Sequence, residues 1–311
     1  MDRIDTKILA ELDSHPRTPV AKLARKLRIS QQVADYRIRR MIVEKRITKI
    51  GAIINLKALK QEHYRVFFTF NSSTYSSKEV FDYLGGQKGV YWSARTGGAY
   101  DLHVVLFVFD FAAFDNFMEK FNARFPGLVK NYTSCYGLNH YVYRHKFLSK
   151  DYHTMTYGYQ DKHTDIDGLD HFILSKLKEN CRLSSLEISR EKQVSYKTII
   201  NRVKAMERAN VILGYRMFMR TEDRKPFLVL FSFKDYAKER ENKLIHYLER
   251  TESVTQAVRM FGVWNLLVHV RIEDNESLQQ LIIDLRDKFD LIDNYEIIPI
   301  FEDVSIDLMP L

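Results

Sequence analysis

Two helix-sized stretches carry side chains whose types and spacing suit hydrogen bonding to the edges of DNA bases. They read "ISQQVADYRIRRM" (29–41) and "VSYKTIINRVKAM" (194–206). Arg and Lys suit guanine and phosphate oxygens, and Gln and Asn suit adenine. The predicted DNA-contacting residues are Ser30, Gln31, Gln32, Asp35, Arg37, Arg39 and Arg40 in the first stretch, and Ser195, Tyr196, Lys197, Asn201, Arg202 and Lys204 in the second.

The second stretch repeats the first 165 positions later. Ser30, Arg37 and Met41 recur as Ser195, Arg202 and Met206. In the first copy Ala34, Ile38 and Met41 share one helix face, and the second copy repeats that apolar face. The outer positions differ between the copies, which predicts that the two helices pack alike but contact different partners through their exposed faces.

Each of these helices requires two preceding helices against which its apolar face can pack. "IDTKILAEL" and "LDHFILSKL" have helical apolar spacing. A second helix is predicted to begin at Thr18 with Pro19 in its first position, and in the second copy at a capping box of Ser184 and Glu187. Ser30 and Ser195 are predicted to cap the third helices. "KRITKIGAII" and "ANVILGYRMF" then read as a short wing of strand with a glycine turn, which completes a winged helix-turn-helix.

Positive charge is concentrated around the two copies of this motif. The net charge is +9 in residues 1–60 and +5 in residues 166–225, against +1 in 61–165 and −7 in 226–311. This distribution is expected of two polyanion-binding heads on neutral or acidic bodies. The same residues could instead keep the helices soluble around a docking module that does not bind DNA.

A second pattern follows each wing. In the first half the strands "YRVFFTF", "GVYWSART" and "YDLHVVLFVFD" and a closing strand alternate with two helices, and the second half repeats the order. Strand–helix–strand–strand–helix–strand is a ferredoxin-like βαββαβ unit. The sequence predicts the α+β class, with two tandem copies of a winged helix-turn-helix followed by a ferredoxin-like domain.

The order of modules and the loop "RTGGAYDL" (95–102) resemble the Lrp/AsnC (feast/famine) transcription regulators of bacteria and archaea. The resemblance implies double-stranded DNA as a partner, homo-oligomers formed through the ferredoxin-like domains, and an amino acid or related small effector. It implies an effector site at Arg95, Thr96, Gly97, Gly98, Tyr100 and Asp101, and at Gly262 and Asn265 in the second copy. The second copy departs from the pattern, with Phe261 in place of the Thr and Asn265 in place of the acid.

The loop has two interpretations on physical grounds alone. Adjacent glycines permit positive φ and close approach of a ligand, and Asp101 could accept a hydrogen bond from an α-ammonium group. The same residues would also suit a tight hairpin turn in which Asp101 caps the backbone.

The predicted domains alternate along the chain. Residues 1–60 form the first winged helix-turn-helix and 61–148 the first ferredoxin-like domain. Residues 149–164 form a polar linker. Residues 165–223 form the second winged helix-turn-helix and 224–311 the second ferredoxin-like domain.

Other features indicate a cytoplasmic protein without a cofactor, a metal site or catalytic residues. Cys135 and Cys181 fall at non-equivalent places and are predicted to be reduced thiols. The longest wholly apolar run, Val104 to Phe109, is far shorter than the roughly 20 residues that span a bilayer. The histidines at 140, 145, 153 and 163 lack the regular spacing of metal ligands.

Two alternatives remain open. Sirohaem decarboxylases use the same modules, sometimes as fused pairs, and a basic cleft with Arg95, His103, Arg259 or His269 could hold a polycarboxylate tetrapyrrole. The chain could also be an effector sensor that partners other regulators without binding DNA.

Overall fold

The computed structural model describes residues 2–71, 75–148, 153–220 and 223–304. The chain forms two compact units, and each unit contains elements from both copies of the repeat. The helical unit comprises Met1–Leu59, Tyr143–Met155 and His163–Glu222, and the barrel unit comprises Lys60–Val142, Thr156–Lys162 and Asp223–Leu311.

The helices and strands follow the predicted order twice. The first copy contains α1 (Arg3–Ser14), α2 (Val20–Leu27), α3 (Gln31–Val43), β1 (Ile47–Ile54), β2 (Glu62–Phe70), α4 (Ser77–Gly85), β3 (Val90–Thr96), β4 (Leu102–Val108), α5 (Phe111–Arg124), β5 (Val129–Tyr143) and β6 (Thr154–Gly158). The second copy contains α6 (Gly168–Glu179), α7 (Ser185–Lys192), α8 (Tyr196–Arg208), β7 (Ile212–Met219), β8 (Lys225–Phe233), α9 (Lys238–Arg250), β9 (Val254–Phe261), β10 (Leu266–Ile272), α10 (Asn275–Lys288) and β11 (Ile292–Val304). The α+β class and the tandem arrangement are confirmed.

The third helices pack as their apolar spacing predicts. In the first copy Ala34, Ile38 and Met41 are buried against α1 and α2, in a core that also takes in Met217 and Cys181 from the second copy. In α8 the equivalent buried residues are Ile199, Val203 and Met206. The inner faces of the two helices are alike because each must fill the same kind of three-helix core.

The capping residues also explain why parts of the repeat are kept. The Ser30 hydroxyl accepts a hydrogen bond from the Val33 amide at 3.2 Å, and the Ser195 hydroxyl accepts one from the Thr198 amide at 3.0 Å. The predicted capping box at the start of α7 is present. The prediction for α2 was wrong by one position, since Pro19 itself occupies the N-cap and no side chain caps that helix.

The strand predicted for each wing is present, but the glycine turn predicted within the wing was wrong. Gly51 does not form a turn, because β1 is one continuous strand that pairs antiparallel with β7, placing Gly51 opposite Arg216 and Ala52 opposite Tyr215. The two wing strands therefore satisfy each other's backbone hydrogen bonds across the repeat. A partner strand about 165 residues away removes the need for a local hairpin.

The barrel unit is built from a closed ring of eight antiparallel strands. Their order is β2-β4-β3-β11-β8-β10-β9-β5, and β5 pairs again with β2. The copies meet at two seams, where β3 pairs with β11 and β5 pairs with β9. Both edges of each copy's four-stranded sheet are thus paired.

Helices cover the outer face of this ring. In the first copy Phe114, Phe117, Met118 and Phe121 of α5 are buried against strand residues that include Val66 and Phe68. Side chains alternate along a strand, so Arg65 and Phe67 point to the opposite, inner face. Every residue of β4 is buried, which shows that both of its faces are covered.

The segment predicted as the linker contains a strand. Residues 149–152 lie outside the described residues, and Thr154–Gly158 form β6 beside β5. The Tyr159 amide also donates to the Leu138 carbonyl at 2.9 Å. A run that is polar and tyrosine-rich can therefore still add an edge strand.

A buried carboxylate in the helical unit predicts acid sensitivity. Asp13 accepts hydrogen bonds from the backbone amide and the Nδ1–H of His145, at 2.9 and 2.7 Å. Burial alone would raise the pKa of Asp13, but the bonds from His145 and the charges of His145 and Arg216 outweigh it and lower that pKa from 3.8. The ionised form therefore stabilises the fold above the unfolded-state pKa, and this stability is lost as the pH falls through the lower, folded-state value.

We expect Asp13→Asn to reduce the stability of the helical unit at neutral pH and to flatten its decline below about pH 4. Urea unfolding at a series of pH values would measure this. Asp115→Asn, which changes an exposed carboxylate in the barrel unit, is the control. A decline of equal steepness in Asp13→Asn and the unaltered chain would contradict the assignment.

Candidate nucleic-acid interface

The outward face of α3 presents polar side chains from its first turn onward. Gln31 and Gln32 are exposed at the N-terminal end of the helix, directly after the Ser30 cap. Arg39 is 77% exposed, and it forms an ion pair with Asp35, one turn earlier on the same surface, at 2.9 Å. An exposed pair of this kind holds an arginine weakly, so the guanidinium can exchange partners.

The outward face of α8 presents a different set. Tyr196, Lys197, Asn201 and Lys204 are all exposed. Lys204 occupies the position equivalent to Arg39, and Asn201 the position equivalent to Tyr36. The two helices therefore share a buried face and differ on the face that is open to a partner.

The repeated arginine has a structural function in both copies. Arg37 on α3 donates to Asp2 and Asp5 at the start of α1, at 2.5 and 2.8 Å, and its side chain is only 18% exposed. In the second copy Arg202 on α8 pairs with Asp167 and Asp170 at the start of α6, at 2.8 and 3.1 Å. Each arginine thus ties the third helix to the first.

The charges at this junction reinforce each other. The hydrogen bond from Arg37 lowers the pKa of Asp2 to about 2, and the bonds to Asp2 and Asp5 raise the pKa of Arg37. Arg40 adds a second guanidinium on Asp5 at 2.5 Å and contacts Glu44 at 3.6 Å. Ion pairs within the protein therefore occupy Arg37 and Arg40.

The thirteen predicted DNA-contacting residues thus fall into three groups. Two serines are helix caps, three arginines join the third helix to the first, and the remaining residues line the outward faces of α3 and α8. The outward group comprises Gln31, Gln32, Asp35, Arg39, Tyr196, Lys197, Asn201 and Lys204.

The structure adds two residues that sequence reasoning did not select. Tyr36 is 64% exposed and Val33 is exposed beside it on α3. Both lie off the buried stripe of this helix, and an apolar residue at such a position was the signal available in the sequence. An exposed apolar side chain on a base-reading helix suits contact with a thymine methyl group.

The loop between β3 and β4 forms a hydrogen-bonded hairpin. The Asp101 carboxylate accepts from the Phe70 amide at 2.7 Å, and the Thr96 hydroxyl donates to the Tyr100 carbonyl at 2.7 Å. In the second copy the Asn265 side-chain oxygen accepts from the Phe233 amide at 2.8 Å. Because Asn265 makes the same bond as Asp101, this bond does not depend on a charged side chain.

The glycines and Arg95 of this loop also serve the fold. A Cβ on Gly97 would lie 2.6 Å from the ring of Phe301, and Gly98 has a φ of +78°. Arg95 lies over the Phe301 ring at 5.4 Å and pairs with Glu302 at 3.7 Å. In the second copy Gly262 also has a positive φ, of +146°. The loop residues are thus brought together, and their observed contacts are structural.

The described part of the chain contains neither a membrane-spanning helix nor a cluster of metal ligands. No helix there has the length and apolar character that crossing a bilayer requires. Among the same residues, His, Cys, Asp and Glu side chains form no group of three or more that could hold a metal ion.

Comparison with known proteins identifies the family. A family model described as the AsnC-type helix-turn-helix domain matches residues 1–42, which cover α1 to α3. The regulatory protein AsnC of Escherichia coli K12 is 30% identical over 137 residues, which are 42% of this chain and 87% of AsnC. The chain belongs to the Lrp/AsnC family.

Other members match in the same way. The leucine-responsive regulatory protein of Rhizobium meliloti is 26% identical over 123 residues, covering 39% of this chain and 79% of that protein. Each relative is matched over most of its own length by less than half of this Lrp/AsnC chain. These shares fit a chain that carries the family's unit twice.

A solved structure matches the whole Lrp/AsnC chain in fold. The siroheme decarboxylase NirDL aligns with a TM-score of 0.66 over 97% of this chain and 92% of that one, at 12% identity. At that identity the likeness concerns the fold, and it shows that the complete double arrangement occurs in another protein.

Proposed function

We propose that this Lrp/AsnC chain is a DNA-binding transcription regulator that acts in the cytoplasm, on double-stranded DNA and without enzymatic activity of its own. The observation that carries the proposal is the contrast within the repeat. The caps, ion pairs and core of the third helices are kept between the copies, while their exposed faces carry polar and basic side chains that no core or cap requires.

Each third helix has the chemistry of a reading helix. Its N-terminal end presents side-chain hydrogen-bond donors, which are Gln31 and Gln32 in one copy and Lys197 in the other. About two turns later the helix presents Arg39 in the first copy and Lys204 in the second. Because the exposed faces differ, we propose that the two copies read different sequences. The operator would then be non-palindromic, or would meet four reading heads where two chains associate.

The test is the salt dependence of binding to a duplex recovered by genome-wide mapping with the purified chain. We expect the association constant to fall many-fold as salt rises, with a log–log slope of roughly −0.9 per phosphate contact. Pooled amino acids added to the same mapping would test for an effector. Weak affinity with a flat salt slope would contradict the proposal and favour an effector sensor that partners other regulators.

A second candidate is an enzyme resembling the siroheme decarboxylases, and the fold likeness over 97% of the chain favours it. Of the residues considered for a tetrapyrrole cleft, Arg259 already pairs with Glu241. His103 is fully buried. Mixing the purified chain with sirohaem discriminates, because a Soret shift without retardation of any DNA would replace the regulator proposal with the enzyme.

Effector binding at the loop between β3 and β4 stays a prediction of the family resemblance, as do homo-oligomers formed through the ferredoxin-like domains. Support for the loop comes from the residue types of Arg95, Thr96, Gly97 and Gly98. The hydrogen bonds of Asp101 and Asn265 favour the other interpretation, in which the loop is a capped hairpin.

A further inference from the structure

The inner face of the barrel carries a buried positive charge. Arg65 on β2 is 2% exposed and lies opposite Val105 of β4 and Cys135 of β5. Its neighbours Val66 and Phe68 belong to the core beneath α4 and α5, so Arg65 projects to the other side of the sheet. The guanidinium therefore lies inside the ring of strands.

In the described part of the chain this guanidinium has no acidic partner, which a buried arginine requires. Among the residues that the structure describes, none accepts a hydrogen bond from Nε or Nη1 of Arg65. The groups whose charge would favour the cation are Tyr157, Tyr91 and Cys135, which are neutral at pH 7. Burial lowers the pKa of Arg65 to about 10, so the side chain remains cationic at neutral pH.

A second unpartnered polar group lies close by. Neither ring nitrogen of His103 has a hydrogen-bond partner in the described part of the chain, and the residue is fully buried. Its ring stacks on Phe67 at 4.2 Å and meets the edge of Trp92 at 5.3 Å. Burial, then the charges of Arg65 and His269, lower the pKa of His103 well below 6.5, so the imidazole is neutral and offers one N–H donor.

We propose that Arg65 and His103 bind an organic monocarboxylate inside the barrel. A carboxylate accepts two parallel hydrogen bonds from one guanidinium and can take a further bond from an imidazole N–H. A single negative charge balances the single positive charge. A phosphate dianion would leave an excess charge buried, which is costly.

The surrounding side chains point to an apolar body on this ligand. Phe67 and Trp92 flank His103, and Trp92 also contacts His269, with ring centroids 5.7 Å apart. Aromatic rings contribute most where they cover apolar surface. The site uses barrel residues alone and does not depend on whether the chain binds DNA.

Thermal unfolding of the full chain in sodium butyrate, phosphate and chloride at matched ionic strength tests the proposal. We expect butyrate to raise the Tm of the unaltered protein above its value in chloride by about 2–4 °C. Arg65→Met should raise the Tm in chloride, because it removes an unpaired buried charge, and should abolish the butyrate increment. A substitution that raises the Tm in chloride and also abolishes the Tm increment in butyrate distinguishes a ligand site from an ordinary structural arginine.

Two further variants complete the design. Arg224→Met removes an arginine of the barrel unit that pairs with Glu252 and Glu273, and it should keep the butyrate increment. If the Met variant does not fold, Arg65→Lys serves in its place. This variant keeps the charge but not the two parallel bonds, so it should reduce the butyrate increment in Tm. Equal Tm values in butyrate and chloride, or a larger increment in phosphate, would overturn the proposal, whatever the result for DNA binding.

Discussion

Replacing Arg39 by alanine should weaken binding to the mapped operator by about 1–3 kcal/mol, or roughly tenfold to more than a hundredfold, if this residue reads a base. The side chain is 77% exposed, and among the residues that the structure describes it would lose only the weak pair with Asp35. The thermal stability of the chain should therefore stay nearly unchanged. Fluorescence anisotropy with the labelled operator, together with thermal unfolding, measures both quantities.

Two matched variants interpret the Arg39 result. Arg124→Ala removes the same charge from an exposed helix position in the barrel unit and should leave operator affinity nearly unchanged. Lys204→Ala changes the equivalent position of α8 and reports whether the second copy also reads DNA. Unaltered affinity and footprint in Arg39→Ala would remove this residue from the interface.

Replacing Asp5 by alanine should lower the free energy of unfolding of the helical unit by about 2–3 kcal/mol. The Asp5 carboxylate is only 3% exposed and accepts hydrogen bonds from both Arg37 and Arg40. Its loss removes the carboxylate that both guanidinium groups share and leaves Arg37 with Asp2 and Arg40 with Glu44. Partial exposure of both arginines keeps the loss below that of a fully buried pair.

The second copy provides the matched comparison for Asp5. Asp170 meets one arginine, Arg202, which is 40% exposed, so Asp170→Ala should cost about 1 kcal/mol. Hydrogen exchange of the α1 and α6 amides would report the two losses separately in one chain. Asp170 also accepts a hydrogen bond from the Asp167 amide in the capping box of α6. Equal losses at both sites would therefore show that the second guanidinium on Asp5 contributes no more than that capping bond.

Local patterns made the helices and their caps predictable. Ser30 and Ser195 stand directly before apolar runs of helical period, and Ile38 and Met41 follow at core spacing. Such signals lie within a few residues of each other, where backbone geometry fixes what can meet. Because the chain repeats these patterns, each helix and cap could be predicted from two copies of the same signal.

Contacts between distant residues were not predictable in this way. The ion pairs of Arg37 could not be predicted because Asp2 and Asp5 lie more than 30 residues earlier, at the start of α1. The pairing of β1 with β7 joins strands from different copies, so Gly51 looked like a turn. Nothing local in "YRVFF" separates an arginine inside a barrel from one on a solvated face.

The two seams of the barrel leave neither half's four-stranded sheet with an open edge in the described part of the chain. Along β3–β11 and β5–β9 each half already has the other as its neighbour, so a strand from another chain has no place to add there. Because both halves belong to one chain, neither has to match an identical twin, and each can acquire its own substitutions.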